Sequence, residues 1–595
     1  MHSPTSDGAE SQPLVRANWK EPRRATAAWH RLKVWGHIGL RTARNLASGP
    51  ARIGPGQALV DAPVVAEQRS SLWVDGRADE FILRCGKVQN LRVAARCFDG
   101  VEVAAGQTLS FWAQVGRPSA GRGFAVGREI INGCVVPTVG GGLCQLSNAL
   151  AALALASGAR LAERHRHSAL IEAQAQPSED ATVAWNYVDL RIVADFSFRI
   201  EAEVGPDELL LRLRSHAVAA PTALRRALPP IREERAVARG CLTCAQTTCF
   251  RHQPQARVNS GRTAVLLNDR YPELAIWLEG LPPDADWMLP WVRPALRHRS
   301  WKAPQGAQVA IAHWPSFKRI VRQRLQRGEG AAHQAARMRT AWDLARDYAR
   351  RLRPEHTDLV VAQELLVPLW RLGALGGRRV NVYVSELPAS VLQAKLDQAV
   401  SLTPGHASLR DFRVDQAWQH DEWKALAYAN RRLTPHHEVH RTLCDAGMTA
   451  DLLPWDLPPA SVQATPDAGR PLTLTLASSA LARKGAAEVA AAAQVLDARV
   501  LVLGSPPSDV AAWSGVNWSA VGYAGDWIAQ SDVVVLPAYI EHQPRALLKA
   551  LAAGVPVVAS PACGLGARAG LTEVAPGNVD TLVAAIRAAL SGRCS

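Results

Sequence analysis

The second half of the chain repeats one pattern, in which short apolar runs of β-type residues alternate with alanine-rich helical segments. The runs are TAVLLN (263–268), DLVVAQELLVPLW (358–370), VNVYVSELP (380–388), LTLTLAS (472–478), ARVLVLGS (498–505), DVVVLPAY (532–539) and VPVVAS (555–560). Such runs, bounded by turns and separated by helices, are typical of parallel sheets that helices cover on both faces. A proline-rich break at residues 454–471 divides the pattern in two. We therefore predict an α/β half with two doubly wound, Rossmann-like domains, at 262–455 and 471–595, joined by a linker at 456–470.

The first half of the chain has a different composition and a different order of predicted elements. Short β-type runs dominate residues 86–215, and one segment, 143–156, has the alanine and leucine content of a helix. These features predict an α+β module. Residues 216–261 mix proline, arginine and cysteine and are interpreted as a connector. Residues 1–15 are polar and are predicted to be a disordered lead, and residues 16–85 form a basic, tryptophan-containing N-terminal region.

The net charge of +15 favours anionic partners. Much of it lies in residues 19–44 and 317–353. Trp19, Trp29 and Trp35 stand among the basic residues of the first segment, a mixture that suits peripheral contact with a membrane surface. The alternative is a solvated helix whose tryptophans pack inward. No motif that reads bases accompanies the charge, so no specific nucleic acid is expected as a partner.

The expected cellular location rests on two features that the sequence lacks. No stretch reaches the roughly 18 uninterrupted apolar residues that span a bilayer, and the N-terminus lacks the short apolar region of a secretory signal. We expect a cytoplasmic protein, peripheral at the inner face of the membrane. Ten cysteines spread over 595 residues predict no disulfide framework.

The connector carries a candidate metal site of its own. Cys241, Cys244, Cys249 and His252 follow the spacing C-x2-C-x4-C-x2-H. Four such ligands can close a tetrahedral zinc site, and three thiolates can hold part of an iron–sulfur cluster. Free thiols in a basic connector and a redox-active C-x2-C pair are the alternatives.

A glycine-rich turn leads into the predicted helix of the first half, in the sequence VPTVGGGLCQLSN (136–148). Glycines before a helix start permit a positive φ and bring bare N–H groups close to a ligand, and a helix N-terminus favours a thiolate. Cys144 is therefore a candidate nucleophile. His165 or His167 would act as its base, with Glu163 or Asp180 orienting the histidine. Gln145 and Asn148 would hold an oxyanion or a substrate amide. The alternative is a buried cysteine after a glycine turn.

Residues 86–215, with GGGLCQLSN, ERHRHS and ATVAWNYVDL, resemble the VanW family, named after an accessory gene of vancomycin-resistance clusters. The resemblance implies a link to the cell envelope. It is consistent with cysteine-dependent acyl transfer on peptidoglycan through Cys144 and a following histidine. Chemistry of that type takes place outside the membrane, in conflict with the expected cytoplasmic location.

The segment 531–565 contains a buried strand that ends at Pro537, a loop, a helix from about Pro544 to Ala553, and a further strand. In a doubly wound sheet, such a loop and helix N-terminus bind phosphorylated ligands. The segment resembles the nucleotide-sugar-binding domain of retaining family 4 glycosyltransferases, which have two Rossmann-like domains of GT-B type facing a cleft. The resemblance extends over about residues 262–595.

Glu541 matches the first glutamate of the family pattern and would contact the donor sugar, and Lys484 would contact the donor phosphates. The sequence departs from the pattern at three positions. Lys549 stands where a second glutamate usually holds the ribose, His542 where a glycine is usual, and Ser479 where an arginine is expected. A lysine cannot accept hydrogen bonds from ribose hydroxyls, although it can contact phosphate.

Taken together, the sequence predicts a multidomain cell-envelope protein, in which a VanW module is fused to a hexosyltransferase-type glycosyltransferase. It would transfer a sugar from a nucleotide-diphosphate donor to an envelope glycan or a lipid-linked precursor. The alternatives are a non-catalytic scaffold that binds glycan or precursor through a degenerate glycosyltransferase half, and acyl transfer through Cys144.

Overall fold

The structure is a computed structural model of the 595-residue chain. It describes residues 23–73, 80–131, 134–165, 180–217, 239–240, 249, 260–292, 301–325, 331–402, 405–458, 470–507, 512–523 and 526–591. Two compact units divide the chain. Unit 1 comprises Met1–Arg262, Leu352–Asp358 and Gly373–Arg379, and unit 2 comprises Thr263–Arg351, Leu359–Leu372 and Val380–Ser595.

Unit 1 combines short helices with small sheets. Its helices are α1 (Arg24–Ser48), α2 (Phe81–Ala95), α3 (Phe111–Val115) and α4 (Cys144–Ala156). Its strands are β1 (Val64–Ser71), β2 (Val101–Val103), β3 (Leu109–Ser110), β4 (Val126–Ile131), β5 (Cys134–Val139), β6 (Arg160–Glu163), β7 (Arg191–Val193), β8 (Phe198–Val204), β9 (Glu208–Arg214) and β10 (Arg239–Gly240).

A four-stranded antiparallel sheet in the order β1-β9-β8-β2 forms the largest layer of unit 1. Two three-stranded sheets, β10-β5-β4 and β3-β7-β6, complete it. Leu146, Leu150 and Leu153 of α4 are buried against α2 and the four-stranded sheet because they recur every three to four residues on one helix face. The α+β prediction is confirmed, and so is the helix predicted at 143–156.

The expectation of a single helix in this module is wrong, since α2 and α3 are also present. In α2 the apolar residues Leu83, Val88 and Leu91 are buried, but so are Arg84 and Lys87. Polar residues that lie on the buried face interrupt the apolar period, so the sequence pattern does not identify this helix.

Unit 2 begins with a seven-stranded sheet in the order β13-β12-β11-β14-β15-β16-β17. The strands are β11 (Arg262–Leu266), β12 (Asp286–Pro290), β13 (Gln308–Ala312), β14 (His356–Ala362), β15 (Arg379–Tyr383), β16 (Arg431–Thr434) and β17 (Asp451–Leu452). The helices are α5 (Pro272–Glu279), α6 (His313–Leu325), α7 (Ala331–Arg351), α8 (Gln363–Arg371), α9 (Ala389–Leu402), α10 (Gln416–Tyr428) and α11 (His437–Asp445).

A second, six-stranded sheet follows in the order β20-β19-β18-β21-β22-β23, and every pairing within it is parallel. The strands are β18 (Thr473–Leu476), β19 (Arg499–Val502), β20 (Trp518–Ala520), β21 (Val533–Leu536), β22 (Val557–Ala559) and β23 (Leu571–Glu573). The helices are α12 (Ala486–Leu496), α13 (Trp527–Gln530), α14 (Arg545–Ala552) and α15 (Val579–Ser591).

The central strands of this sheet explain the apolar runs of the sequence. Residues 533–536 of β21 and 557–559 of β22 are buried throughout, because helices cover both faces of a parallel sheet. In both sheets of unit 2, later strands add to the opposite side of the first strand, which is the doubly wound order. The prediction of two such domains is confirmed.

The exposure of α1 corrects one interpretation of the basic N-terminal segment. Trp29 and Trp35 are 62% and 65% exposed, so the idea that its tryptophans pack inward is wrong for these two residues. Trp19 lies outside the described residues. In the described part of the chain, no helix is long and apolar enough to cross a membrane.

Candidate functional site

The second sheet of unit 2 reverses its strand order between β18 and β21, which lie side by side. Ligands of doubly wound proteins bind at such a point, outside the carboxyl ends of the strands. The loop after β18 leads to Lys484, and the loop after β21 carries Glu541 and His542. Gly485 has a φ of +74°, and a Cβ there would overlap the Pro537 carbonyl oxygen, so the turn that presents Lys484 needs glycine.

Lys484 and Glu541 form an ion pair at this point. The Lys484 Nζ lies 3.1 Å from the Glu541 Oε2 and donates to the Ile540 carbonyl oxygen at 2.7 Å. The second carboxylate oxygen of Glu541 accepts the Gln543 N–H at 2.7 Å. Burial alone would raise the pKa of Glu541, but the Lys484 ammonium and the Gln543 N–H outweigh burial and lower it. The carboxylate is therefore ionised at neutral pH.

Two histidines connect this loop to the first domain of unit 2. The Nδ1 of His436 accepts the Val439 N–H at 3.3 Å, so its Nε2 carries the proton and donates to the Glu541 carbonyl oxygen at 2.8 Å. The Nε2 of His542 accepts the Leu387 N–H at 3.2 Å. Burial lowers the pKa of His542 to about 3, so this ring is neutral. The carboxyl ends of the two sheets thus face each other across the site.

Acidic side chains of the first domain lie at the same edge. Glu364 follows β14 and accepts from the Asn268 amide at 2.6 Å, and Glu386 follows β15. Arg337 of α7 bridges the two carboxylates and lies 2.6 Å from Glu386. Burial raises the pKa of Glu364. At Glu386, Arg337 and the other nearby cationic groups outweigh burial and lower the pKa. Sequence reasoning missed both residues, although each lies within one of the apolar runs, at 358–370 and 380–388.

A deeper carboxyl supports this edge. The Glu422 carboxylate accepts the Ala389 N–H at 2.7 Å and the Gln363 amide at 3.2 Å. The Oε1 of the Gln363 side chain in turn accepts the Glu386 N–H at 2.9 Å. Burial raises the pKa of Glu422 to about 7.

An ion pair with a buried carboxylate also joins the two domains within unit 2. Arg545, the first residue of α14, contacts both oxygens of Glu273 on α5, at 2.5 and 2.7 Å. The Glu273 side chain has no exposed surface. The Arg545 guanidinium also lies 5.8 Å from the ring centre of Trp455. These contacts hold the start of α14 in place. In the sequence, Arg545 follows Glu541 of the ion pair by four residues.

No hydrogen bond or ion pair joins the side chains of the remaining described, sequence-predicted residues of this site to Lys484 or Glu541. Pro544 is buried and caps α14, in agreement with the helix start expected there. Lys549 lies in the last turn of α14 and is exposed, and no hydrogen bond or ion pair joins its side chain to another described residue. The Ser479 Oγ accepts the Ser505 N–H at 2.9 Å, so this position is filled by a small, packed side chain.

In unit 1, Cys144 begins helix α4 as expected. Its Sγ lies 3.5 Å from the Thr182 Oγ1 and 3.8 Å from the Val183 carbonyl oxygen, and the residue is partly exposed. Gly140 and Gly142 before it have φ values of +87° and +94°. A Cβ on Gly142 would overlap the Lys87 side chain. The turn therefore requires glycine for both its conformation and its packing.

The structure places His165 beside an acid but does not join it to the cysteine. The His165 Nε2 lies 3.3 Å from the Glu163 Oε1, and its carbonyl oxygen accepts the Thr182 N–H at 2.8 Å. Both Cys144 and His165 are described, and no hydrogen bond joins their side chains. His167 lies outside the described residues. Glu163 is also held by Arg41 of α1 at 2.6 Å.

The other groups proposed around Cys144 hold neighbouring segments. The Gln145 amide donates to the Ser71 carbonyl oxygen at 2.8 Å, and the Asn148 Oδ1 accepts the Ala181 N–H at 2.8 Å. The Asp180 carbonyl oxygen accepts from Arg164 at 2.8 Å. The Asn148 contact fixes the segment around Thr182 against α4, and the Gln145 contact fixes the end of β1 against the same helix.

Most residues of the connector (216–261) lie outside the residues that the structure describes. Cys241, Cys244 and His252 lie outside the described residues, and Cys249 is described and partly buried. Among the residues that the structure describes, no group of three or more His, Cys, Asp and Glu side chains has the geometry to hold a metal ion. The zinc or iron–sulfur site remains a prediction.

Comparison with known families agrees with the two halves of the fold. Residues 86–214 match the family described as VanW like protein, and residues 477–592 match the family described as Glycosyl transferases group 1. The chain therefore carries a VanW domain and a group 1 glycosyltransferase domain.

Two curated relatives match the VanW region. The chain is 29% identical over 135 residues to the Vancomycin B-type resistance protein VanW of Enterococcus faecalis, a match that covers 22% of this chain and 48% of the relative. It is 30% identical over 102 residues to the uncharacterized protein YoaR of Bacillus subtilis, covering 17% and 33%. The chain thus spans half or less of each of these relatives.

Solved structures resemble a longer part of the chain. Sucrose-phosphate synthase of Thermosynechococcus elongatus is 14% identical, with a TM-score of 0.40, and the match covers 56% of this chain and 90% of that one. HepE of Anabaena, in complex with UDP and glucose, is 13% identical with a TM-score of 0.35, covering 56% and 91%.

Proposed function

We propose that this chain, with its VanW domain and its group 1 glycosyltransferase domain, transfers a sugar from a nucleotide-diphosphate donor to an envelope glycan or a lipid-linked precursor. The observation that carries the proposal is the Lys484–Glu541 ion pair at the strand-order reversal of the second sheet. At that position a cation can bind the anionic diphosphate, and a carboxylate can accept hydrogen bonds from the hydroxyls of the sugar.

Each residue of the pair has a distinct role in the proposal. The Lys484 ammonium contacts the donor diphosphate and neutralises the charge that grows on it as the bond to the sugar breaks. The Glu541 carboxylate, ionised and fixed by the Gln543 N–H, accepts hydrogen bonds from sugar hydroxyls. Pro544 starts the helix behind the loop, and Lys549 supplies a second cation for phosphate in place of a carboxylate for ribose.

The first domain supplies the opposite side of the cleft. His436 and Leu387 contact the loop that carries Glu541, so donor binding and the position of the acceptor side are mechanically linked. Glu386 and Glu364 are proposed to lie toward the acceptor, where their carboxyl oxygens accept hydrogen bonds from hydroxyl groups.

The test is a panel of nucleotide sugars incubated with the full chain, with hydrolysis and transfer measured separately from binding. Release of the nucleotide diphosphate with at least one donor supports the proposal. Donor binding without any turnover contradicts it.

A binding scaffold is the second candidate, and two observations favour it. Lys549 is exposed where the family pattern places a ribose-binding glutamate, and Ser479 replaces a cation. The scaffold predicts that a nucleotide sugar or a precursor binds the wild type and is never turned over.

Acyl transfer through Cys144 is the third candidate, supported by its position at the start of α4 and by the His165–Glu163 pair. His167 remains an alternative base. In this reaction the Cys144 thiolate attacks the carbonyl of a peptidoglycan-like amide, the C–N bond breaks, and the amine leaves with a proton from the histidine, so that an acyl thioester remains on Cys144. Cys144→Ser is predicted to abolish this thioester, while the exposed thiol change Cys444→Ser leaves it intact. Reporter fusions at either end show whether the protein lies in the cytoplasm or outside it. Nucleotide sugars are available only in the cytoplasm, and the mature cell wall only outside it, so the location distinguishes the two reactions.

The connector is proposed to carry a metal site. Cys241, Cys244, Cys249 and His252 are proposed to bind zinc or an iron–sulfur cluster. Elemental analysis of purified, folded protein checks this, and a metal-free preparation contradicts it.

A further inference from the structure

Helix α1 (Arg24–Ser48) presents two faces of different character. Its inward face carries Arg41, which pairs with Glu163, and Asn45, which accepts from Arg191 at 2.9 Å. Ala27, Val34 and Ile38 lie on the same face and are buried or half-buried. These residues recur at intervals of three, four and seven, so one stripe of the helix faces unit 1.

The opposite face of α1 is apolar and exposed. With about 100° between successive residues, it covers about 140° of the helix circumference. Gly36 and Gly39 lie within it, and a Cβ at either would meet nothing within 4 Å. The exposed large side chains of this face are Trp29 (62%), Leu32 (68%), Trp35 (65%), Leu40 (53%) and Leu46 (84%).

Cations border this apolar face on both sides. Lys33 and Arg44 lie along one edge, and Arg24 and Arg31 along the other, by the same helical spacing. The Lys33 ammonium lies 5.5 Å from the ring centre of Trp29. The sequence of α1 contains five basic residues and no acidic one.

Helix α6 (His313–Leu325) of unit 2 repeats this arrangement with different residues. Trp314, Phe317 and Val321 are 65%, 53% and 37% exposed and lie on one face. The Lys318 ammonium lies 5.7 Å from the ring centre of Trp314. The sequence of α6 holds four basic residues and no acidic one.

We propose that α1 and α6 each bind the surface of an anionic lipid bilayer, with the apolar face at the level of the acyl chains and the bordering cations among the headgroups. The cations along both edges of the α1 face would meet anionic groups at the same depth in the bilayer. The headgroups of an anionic leaflet supply such groups. Tryptophan prefers that interfacial layer. The inference goes beyond glycosyl transfer and stands without it.

The experiment is cosedimentation of the full chain with vesicles of equimolar phosphatidylglycerol and phosphatidylcholine, against vesicles of phosphatidylcholine alone. We expect binding to the anionic vesicles that weakens as salt rises from 0.1 to 0.5 M, since screening shortens the range of the cations (roughly 10 Å at 0.1 M). The double variants W29S/W35S and W314S/F317S should each lower the partition coefficient, and their combination should lower it by about tenfold or more. The exposed tryptophan change W518S is the matched control and should leave binding unchanged.

Three results would overturn the proposal. The wild type does not bind anionic vesicles, or the W29S/W35S and W518S variants bind alike, or binding does not depend on lipid charge. If the wild type instead forms a dimer that W29S/W35S abolishes, without vesicle binding, a second copy of the chain covers the α1 face. Circular dichroism of every variant separates loss of binding from loss of fold.

Discussion

In unit 1, Cys144 and His165 contact different neighbours, Thr182 and Glu163, whereas in unit 2, Lys484 and Glu541 contact each other. The residues of the first pair lie 21 positions apart in one module, and those of the second lie 57 positions apart in loops after two different strands. Proximity in the sequence therefore did not decide which groups meet. The strand order of a parallel sheet brought together the groups that lie farther apart.

The largest expected effect concerns the ion pair that joins the two domains of unit 2. We expect Glu273→Ala to lower the free energy of unfolding of unit 2 by about 3 to 4 kcal/mol, because the Asp456 N–H and the Arg545 guanidinium, which is 35% exposed, both lose their buried acceptor. The exposed Glu279→Ala on the same helix should change it by less than about 0.5 kcal/mol. Urea unfolding followed by tryptophan fluorescence measures both, and equal midpoints would show that the pair does not stabilise the cleft.

The next prediction applies to the glycine turn of unit 1. Gly142→Ala should cost about 3 kcal/mol, because alanine is strained at a φ of +94° and its Cβ overlaps Lys87. Gly158→Ala has a similar φ of +81° but open space around it, and should cost about 1 kcal/mol. Thermal unfolding of the two variants separates backbone strain from packing. A similar loss in both would remove the packing role assigned to Gly142.

A smaller effect follows from Glu422. Its pKa in the folded protein is raised to about 7, above its ordinary 4.5, so the folded state holds a proton that the unfolded state has lost between these values. Stability therefore falls as pH rises from 4.5 to 7, by an amount on the order of 2 kcal/mol. Glu422→Gln should flatten this dependence, measured as the difference in Tm between pH 4.5 and 7.5. An unchanged slope would mean that Glu422 does not titrate in this range.

The sequence predicted the strands and sheet type of unit 2 well, because buried parallel strands produce continuous apolar runs that end at turns. It also located Cys144 at the start of a helix, because glycines before an alanine-rich segment indicate a helix start. Helix α2 was missed, since buried Arg84 and Lys87 interrupt its apolar period.

The contacts of the cleft were less accessible to sequence reasoning. His436 and His542 meet the Glu541 loop and Leu387 only because the carboxyl ends of the two sheets face each other. No spacing in the chain encodes those pairs. The bridge from Arg337 to Glu364 and Glu386 depends in the same way on the packing of α7.

The central claim is that Lys484 holds the diphosphate of a sugar donor. Its direct test is the rate of nucleotide-diphosphate release from the best donor of a nucleotide-sugar panel, compared between the full-length wild type, Lys484→Ala and the exposed control Lys424→Ala. We predict that Lys484→Ala lowers kcat/KM by about 10²-fold, the usual loss when a charge-stabilising donor is removed, while Lys424→Ala matches the wild type. Turnover by Lys484→Ala at the wild-type rate would contradict the claim.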